Sequence, residues 1–440
     1  MVSSRSDLSV RLATVALPVP PAQPPPRVDK AARPGLVRHV TLEIWAQIRA
    51  EPAMAARILG QRLRYDRSLG SKGRRTASAA LYGLIRHGAA LSLGLEAAGG
   101  DPRDPVQLLL AWLVAGDGLD PAVAVEQAPG VAFHLLCDLR SLVAEHARGM
   151  EPALALALGS SLPLWLAEVW LEELGEEAGE LVAAFATRPP MAARVNVART
   201  DRDALVARLA AEGVCATPGA LAPQALIFSE RRNVHALPSF REGLYEIQDE
   251  GSQLLAGLVG ARPGLRVVDL CAGAGGKSLA LADAGARVVA LDVRTDALRV
   301  LERRMGRAGQ DIRFQPMAEQ GPVPVEPGWA DVVLVDAPCS SSGVLRRHPE
   351  LRWVLTRELV AGRAALQRRI LERAVPLVRP GARLVYGTCS LLRAENQEVL
   401  EGFLGDHRDF SVVARLGDGG VLWPQRTGTD GFFGVAMVRG

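Results

Sequence analysis

From about residue 244 to the C-terminus, short apolar runs alternate with helical stretches, and this alternation limits the fold more than any other feature of the chain. Strands are expected at 265–270, 286–291, 312–315, 331–335 and 383–386, with the clearest helices at 358–377 and 394–404. A helix between successive strands carries the chain back across the sheet, so the predicted fold is α/β with a doubly wound, mostly parallel, Rossmann-like sheet. A closing antiparallel pair is expected at 410–416 and 433–438.

The chain has 440 residues, 48% of them hydrophobic, enough to bury more than one core. Residues 1–34 include Pro18, Pro20, Pro21, Pro24, Pro25 and Pro26, and such a run builds neither helix nor inner strand, so a disordered or extended tail is expected. Residues 35–150 place Val40, Leu42, Ile44, Trp45 and Ile48, then Leu81, Leu84 and Ile85, at helical spacing, which predicts an all-helical domain. Residues 151–240 read as a small α/β connector, with a helix from 162 through Trp170 and strands at 194–197 and 225–228 around a helix at 203–212. The domain of alternating strands and helices then occupies 241–440.

The five cysteines are odd in number and widely spaced, with no Cys-x-x-Cys pair to suggest zinc or a redox dithiol, so no metal is expected and the setting is expected to be reducing and cytoplasmic. No signal peptide and no membrane-spanning stretch is read at this level. A net charge of +3 argues for no particular partner. The local excess of Arg62, Arg64, Arg67, Lys72, Arg74, Arg75 and Arg86 over Asp66 has two readings: a solvated helix surface, or a patch that tracks the phosphates of a nucleic acid.

Cys271-Ala272-Gly273-Ala274-Gly275-Gly276-Lys277-Ser278 is the turn from a buried strand into the next helix, where glycines let backbone amides approach a ligand. Asp292, at the end of the following strand, is placed to bind the two hydroxyls of a ribose. Ser278 stands where the dinucleotide fingerprint needs a third Gly or Ala, and Cys271 breaks the P-loop spacing. An adenosine without phosphates, S-adenosylmethionine, fits better than NAD or ATP. Lys277 is one of only three lysines, with Lys30 and Lys72, in a chain that otherwise uses arginine.

Two thiols follow strands of the same domain, Cys339 in Asp336-Ala337-Pro338-Cys339-Ser340 and Cys389 in Tyr386-Gly387-Thr388-Cys389-Ser390. Taken singly, each is most simply a small buried core residue. Together they suit covalent chemistry on a pyrimidine. Carbon 5 of cytosine is a poor nucleophile until a thiolate adds to carbon 6, and the ring then needs a partner at nitrogen 3 and the exocyclic amine, for which Asp336 is the candidate. After methyl transfer the carbon 5 proton must leave and the thioether must break, which a second thiol, or a water it positions, can assist. Spacing does not say which cysteine attacks.

These motifs resemble those of the RNA cytosine-5 methyltransferases of the RsmB/Sun type, within the Nop2/Sun group. The likeness runs from about residue 35 to the end. Its most specific parts are Gln248-Asp249-Glu250-Gly251-Ser252-Gln253, the 271–277 loop, Asp336 to Cys339 followed by Arg346-Arg347-His348-Pro349-Glu350, Thr388-Cys389-Ser390 followed by Glu395-Asn396, and Asp430-Gly431-Phe432-Phe433. The resemblance implies that Cys389 is the nucleophile, that Cys339 assists product release, that Asp336 contacts the base, and that residues 271–277 with Asp292 hold S-adenosylmethionine. It further implies a NusB-like RNA-binding domain in the N-terminal helices, with Arg74-Arg75 to Arg86-His87 as the best matching stretch. The implied substrate is an unpaired or flipped-out cytosine of small-subunit ribosomal RNA, and a monomer is expected. Another RNA such as tRNA, a non-catalytic RNA-binding factor, and an NAD-linked oxidoreductase are the competing readings. Three positions depart from the pattern: Ala274 for a proline, Ser341-Ser342 for Gly-Thr, and Gln315-Pro316-Met317-Ala318-Glu319 in place of an acidic residue near the adenine, where Glu319 or apolar packing with backbone amides would have to serve.

Overall fold

The structure, a computed structural model, describes residues 34–66 and 68–440. The expected Pro-rich tail lies outside the described residues except for Pro34, and Arg67 of the basic stretch lies outside them too. The chain divides into two units, Met1–Arg188 with Leu345–Leu355, and Pro189–Val344 with Thr356–Gly440.

The first unit is helical. Its long central helix, Ser71–Ala97, buries Ala77, Leu81, Leu84, Ile85 and Leu91 on one face, against the helices Pro34–Ala50 and Pro105–Asp117. The helix Pro105–Asp117 starts where a proline at its first turn needs no donor and Asp104 accepts from Val106 N and Gln107 N. It stops at Gly118, in the left-handed conformation. Gly83 lets Trp112 lie flat on the central helix, because a Cβ there would stand 2.1 Å from the indole. His87 stacks on that same ring, and burial pushes its pKa down to about 3, so it is a neutral core residue. The helices Pro152–Ser160, Leu164–Leu174 and Glu177–Ala186 also lie in this unit.

Leu345–Leu355 belongs to it as well, although its sequence neighbours lie in the other unit. Trp353 meets Trp45 edge to face at 5.8 Å, Arg86 donates to Arg346 O at 2.9 Å, and buried Arg352 donates to Phe185 O at 3.2 Å. Among the described residues no single helix is long and apolar enough to cross a membrane.

The second unit holds two sheets. The small one is antiparallel, in the order β2-β3-β1-β4, from β1 (Met191–Val195), β2 (Ala216–Pro218), β3 (Ala225–Phe228) and β4 (Tyr245–Ile247). Its apolar face packs Leu226, Phe228 and Tyr245 on Leu205 and Leu209 of the helix Arg202–Ala211, which Asp201 caps. The large sheet comprises β5 (Arg266–Asp269), β6 (Arg287–Asp292), β7 (Arg313–Pro316), β8 (Ala330–Asp336), β9 (Val378–Thr388), β10 (Phe410–Arg415), β11 (Val421–Leu422) and β12 (Phe432–Arg439). Its order is β10-β12-β9-β8-β5-β6-β7, with β11 beside β12. Strands β5 to β9 are parallel, and β12 joins β9 antiparallel, followed by β10.

From β5 the chain winds outward through β6 to β7, then returns to the other side of β5 for β8 and β9. The winding reverses between β5 and β8, where the carboxyl ends of neighbouring strands open a crevice suited to a ligand. Asp269, Asp292, Asp336 and Thr388 end their strands on that edge.

Candidate active site

The cofactor turn leaves β5 and enters the helix Gly276–Asp283. Gly273 and Gly275 have φ of 54° and 80°, and a Cβ on Gly275 would stand 2.2 Å from Leu301. Only glycine meets both conditions there. Gly273 N donates to Asp292 Oδ2 at 2.7 Å, and Arg294 N donates to Asp292 Oδ1 at 2.8 Å, so the Asp292 carboxylate is fixed at the end of β6. From below, Arg304 donates to Ala274 O at 2.7 Å and to Glu246 of β4 at 3.1 Å. Arg304 escaped the sequence reading: nothing in a helical arginine 30 positions downstream marks it as a support for this turn.

Asp269 Oδ2 accepts from Ser278 at 2.6 Å, while the buried Oδ1 has no partner and burial raises the carboxyl pKa to about 7. Burial also raises the Cys271 thiol, which makes a reactive role for it unfavourable. A turn of close-approach glycines, a helix N-terminus, an anchored carboxylate and an orphaned acceptor together fit an adenosine-bearing cofactor. Glu319 is exposed, whereas Met317 is buried and donates its N–H to Asp292 O at 3.0 Å.

The second half of the site is built on β8 and β9. Asp336 accepts from Lys277 Nζ at 2.5 Å, so the one lysine of the cofactor turn joins the two halves. Burial opposes the Lys277 charge, but Asp336 outweighs it and the ammonium is held above its usual pKa. Cys339 Sγ lies 3.3 Å from Cys389 Sγ, and Ser341 Oγ lies 3.4 Å from Cys389 Sγ. The Cys339 bond, then Ser341, pull the Cys389 pKa down, with Lys277 adding to the effect, while the same bond and burial push Cys339 well up. The two directions favour Cys389 over Cys339 as the thiolate.

Backbone contacts lock these turns. Gly343 N donates to Cys389 O at 2.9 Å, and Gly431 N donates to Gly343 O at 2.8 Å; a Cβ on Gly343 would stand 2.3 Å from Gly431 O. Thr388 Oγ1 donates to Asn396 Oδ1 at 2.6 Å and Asn396 Nδ2 to Ser390 O at 2.9 Å. Ser341 takes φ of 61°, a left-handed conformation rare outside glycine, where the related pattern has Gly-Thr. The same residue then offers a hydroxyl to Cys389 that glycine lacks. Gln253, in the Gln248–Gln253 motif, donates to Ala193 O and Gln248 O, and Asp249 accepts from Gly251 N and Asp430 N. Those residues are fasteners between strands, not contacts to the reacting atoms.

Residues 258–438 match the family described as 16S rRNA methyltransferase RsmB/F, and residues 162–235 match the ferredoxin-like domain of RsmF/B-like methyltransferases. Ribosomal RNA small subunit methyltransferase B of Erwinia tasmaniensis is 35% identical over 288 residues, covering 63% of this chain and 66% of that protein. The probable ribosomal RNA small subunit methyltransferase B of Bacillus subtilis is 34% identical over 308 residues, covering 66% of this chain and 69% of that protein. The chain thus spans about two thirds of the length of these relatives. The crystal structure of PH0851 superposes with a TM-score of 0.71 at 24% identity, over 92% of this chain and 98% of that one, a likeness of fold.

Proposed function

Because the chain belongs to the RsmB/F family of S-adenosylmethionine-dependent ribosomal RNA methyltransferases, we propose that it methylates carbon 5 of a cytosine in small-subunit (16S) ribosomal RNA through a Cys389 adduct at carbon 6. The observation that carries this reading is the pair of sulfurs 3.3 Å apart, with only one of them favoured as thiolate. When bound, S-adenosylmethionine supplies the methyl group, and residues 271–277 with Asp292 would hold it.

Cys389 attacks carbon 6 of the ring, and the electron pair displaced from the carbon 5–carbon 6 bond makes carbon 5 nucleophilic. Asp336, kept in place by Lys277, would contact nitrogen 3 and the exocyclic amine and stabilise the charge that develops there. Once carbon 5 is methylated its proton leaves to a base, the thioether breaks, and Cys389 departs as thiolate. Cys339, whose sulfur lies 3.3 Å from that of Cys389, eases the departure. A stacked base shields carbon 6, so the target cytosine is unpaired or flipped out, at a cost of about a few kcal/mol.

Covalent trapping tests the reading. With small-subunit rRNA carrying 5-fluorocytidine, the unaltered protein should form an RNA adduct that survives denaturing gels, and Cys389→Ala should form none. Cys339→Ala should accumulate an adduct even on natural RNA. Active protein that forms no adduct would end the thiol mechanism, and an adduct retained by Cys389→Ala would transfer the attack to Cys339.

A further inference from the structure

Glu395 takes no part in the chemistry above, yet it is fully buried between the two turns that carry the thiols. Its Oε1 accepts from Ser340 N at 2.7 Å and from Gln367 Nε2 at 3.2 Å. Its Oε2 accepts from the hydroxyls of Ser340 and Ser390, the latter at 2.6 Å. Ser340 directly follows Cys339 and Ser390 directly follows Cys389. Gln367 also donates to Pro338 O at 3.0 Å, on the other side of Cys339, and Tyr386 OH donates to Glu395 O at 2.5 Å, tying the residue to β9.

From these contacts we infer that Glu395 is a positioning residue whose carboxylate sets the separation of Cys339 and Cys389. Burying a carboxylate costs several kcal/mol unless its lone pairs are used, and here three donors from the two turns and Gln367 from the helix Arg357–Ala374 use them. Two oxygens with acceptor sites on every side can hold Ser340 and Ser390 together, which no neutral side chain of this length does. Without it the two turns keep the bonds from Gly343 N to Cys389 O and from Leu391 N to Ser342 Oγ, with neutral hydroxyl contacts from Ser390 to Ser342 at 3.0 Å and to Ser340 at 3.3 Å, and no charged group spans them. The inference rests on the two-thiol reading for its catalytic meaning, but the spacing of the sulfurs can be measured without RNA.

Glu395→Ala and Glu395→Gln would be compared with the unaltered protein in three assays. The first is the rate at which diamide joins Cys339 to Cys389. Each thiol loses a proton and an electron, the S–S bond forms, and diamide is reduced to its hydrazine; tryptic mass mapping identifies the bridge. The second splits methylation of 16S rRNA into kcat and the KM for S-adenosylmethionine, and the third is thermal melting. Glu395→Ala should slow bridge formation and lower kcat, each by roughly a hundredfold, as misplacement on the scale of an ångström does. Its KM for the cofactor should hold, since the 271–277 turn is held separately. Glu395→Gln keeps the Oε1 acceptor and loses Oε2, so it should fall between the two. Equal bridging rates and kcat in all three proteins would overturn the proposal. Where Glu395→Ala fails to fold, a native-like melt for Glu395→Gln with unchanged bridging and kcat does the same. If the unaltered protein methylates no rRNA, the function falls while the diamide assay still decides the role of Glu395.

Discussion

On the proposed mechanism Cys389 attacks with the Cys339 sulfur 3.3 Å away, and the pH dependence of the reaction follows from that pair. The reactive form is the Cys389 thiolate, and a thiol whose pKa is lowered ionises at lower pH. On the proposed mechanism the single-turnover methylation rate should therefore rise with pH, with an inflection that belongs to the pair and lies below that of an unperturbed cysteine. Ser341→Ala removes the hydroxyl that helps hold the Cys389 pKa down, so the rising limb should move to higher pH while the plateau is kept. A limb that stays in place would show that the hydroxyl does nothing for the thiolate. Both cysteines were legible from their strand-end motifs, since a thiol after an apolar strand in this fold lands on the ligand edge. The division of labour proposed for them was not legible from spacing, because it rests on Ser341 and Lys277, brought to Cys389 from turns 48 and 112 positions away.

At the level of elements, the sequence showed the parallel strands well. β5, β6 and β8 are runs such as Val267-Val268, Val288-Val289 and Val332-Val333, whose branched side chains fit a sheet covered on both faces. Strand β4 is three residues long, too short to show a period, and it went unseen although Glu246 lies on it. That strand bears on cofactor binding, because Glu246 holds Arg304 and Arg307, and Arg304 in turn supports Ala274. Arg304→Ala leaves Ala274 O without that donor and Glu246 with Arg307 alone. Affinity for S-adenosylmethionine, measured by calorimetry, should fall about tenfold, equivalent to about 1.4 kcal/mol. Covalent trapping at saturating cofactor should be unchanged. An unaltered affinity would mean that the glycines of the turn hold its shape unaided.

For the molecule as a whole, the largest surprise relative to the sequence is the passage of Leu345–Leu355 into the helical unit. No periodicity announces it, because its order comes from partners that precede it by more than 150 positions, Trp45, Arg86, Trp165 and Phe185. Arg352 is buried deeply enough there that its pKa falls to about 9, with burial as the main cause. A fragment of residues 34–188 should keep helical circular dichroism but melt at a lower temperature than the unit does in the whole chain. A synthetic peptide of residues 345–355 should raise that melt by about 3 °C, a shift of the size expected from roughly 1 kcal/mol, and a peptide with Trp353→Ala should not. No response to either peptide would show that the segment is a passenger. The same discontinuity matters on the ribosome. Synthesis at about 5–20 residues per second puts roughly ten to thirty seconds between the emergence of residue 188 and that of residue 345. Through that interval the first-made helices wait with the seat around Trp45 and Phe185 open, and this is when a nascent chain of this protein is most exposed to chaperones and proteases.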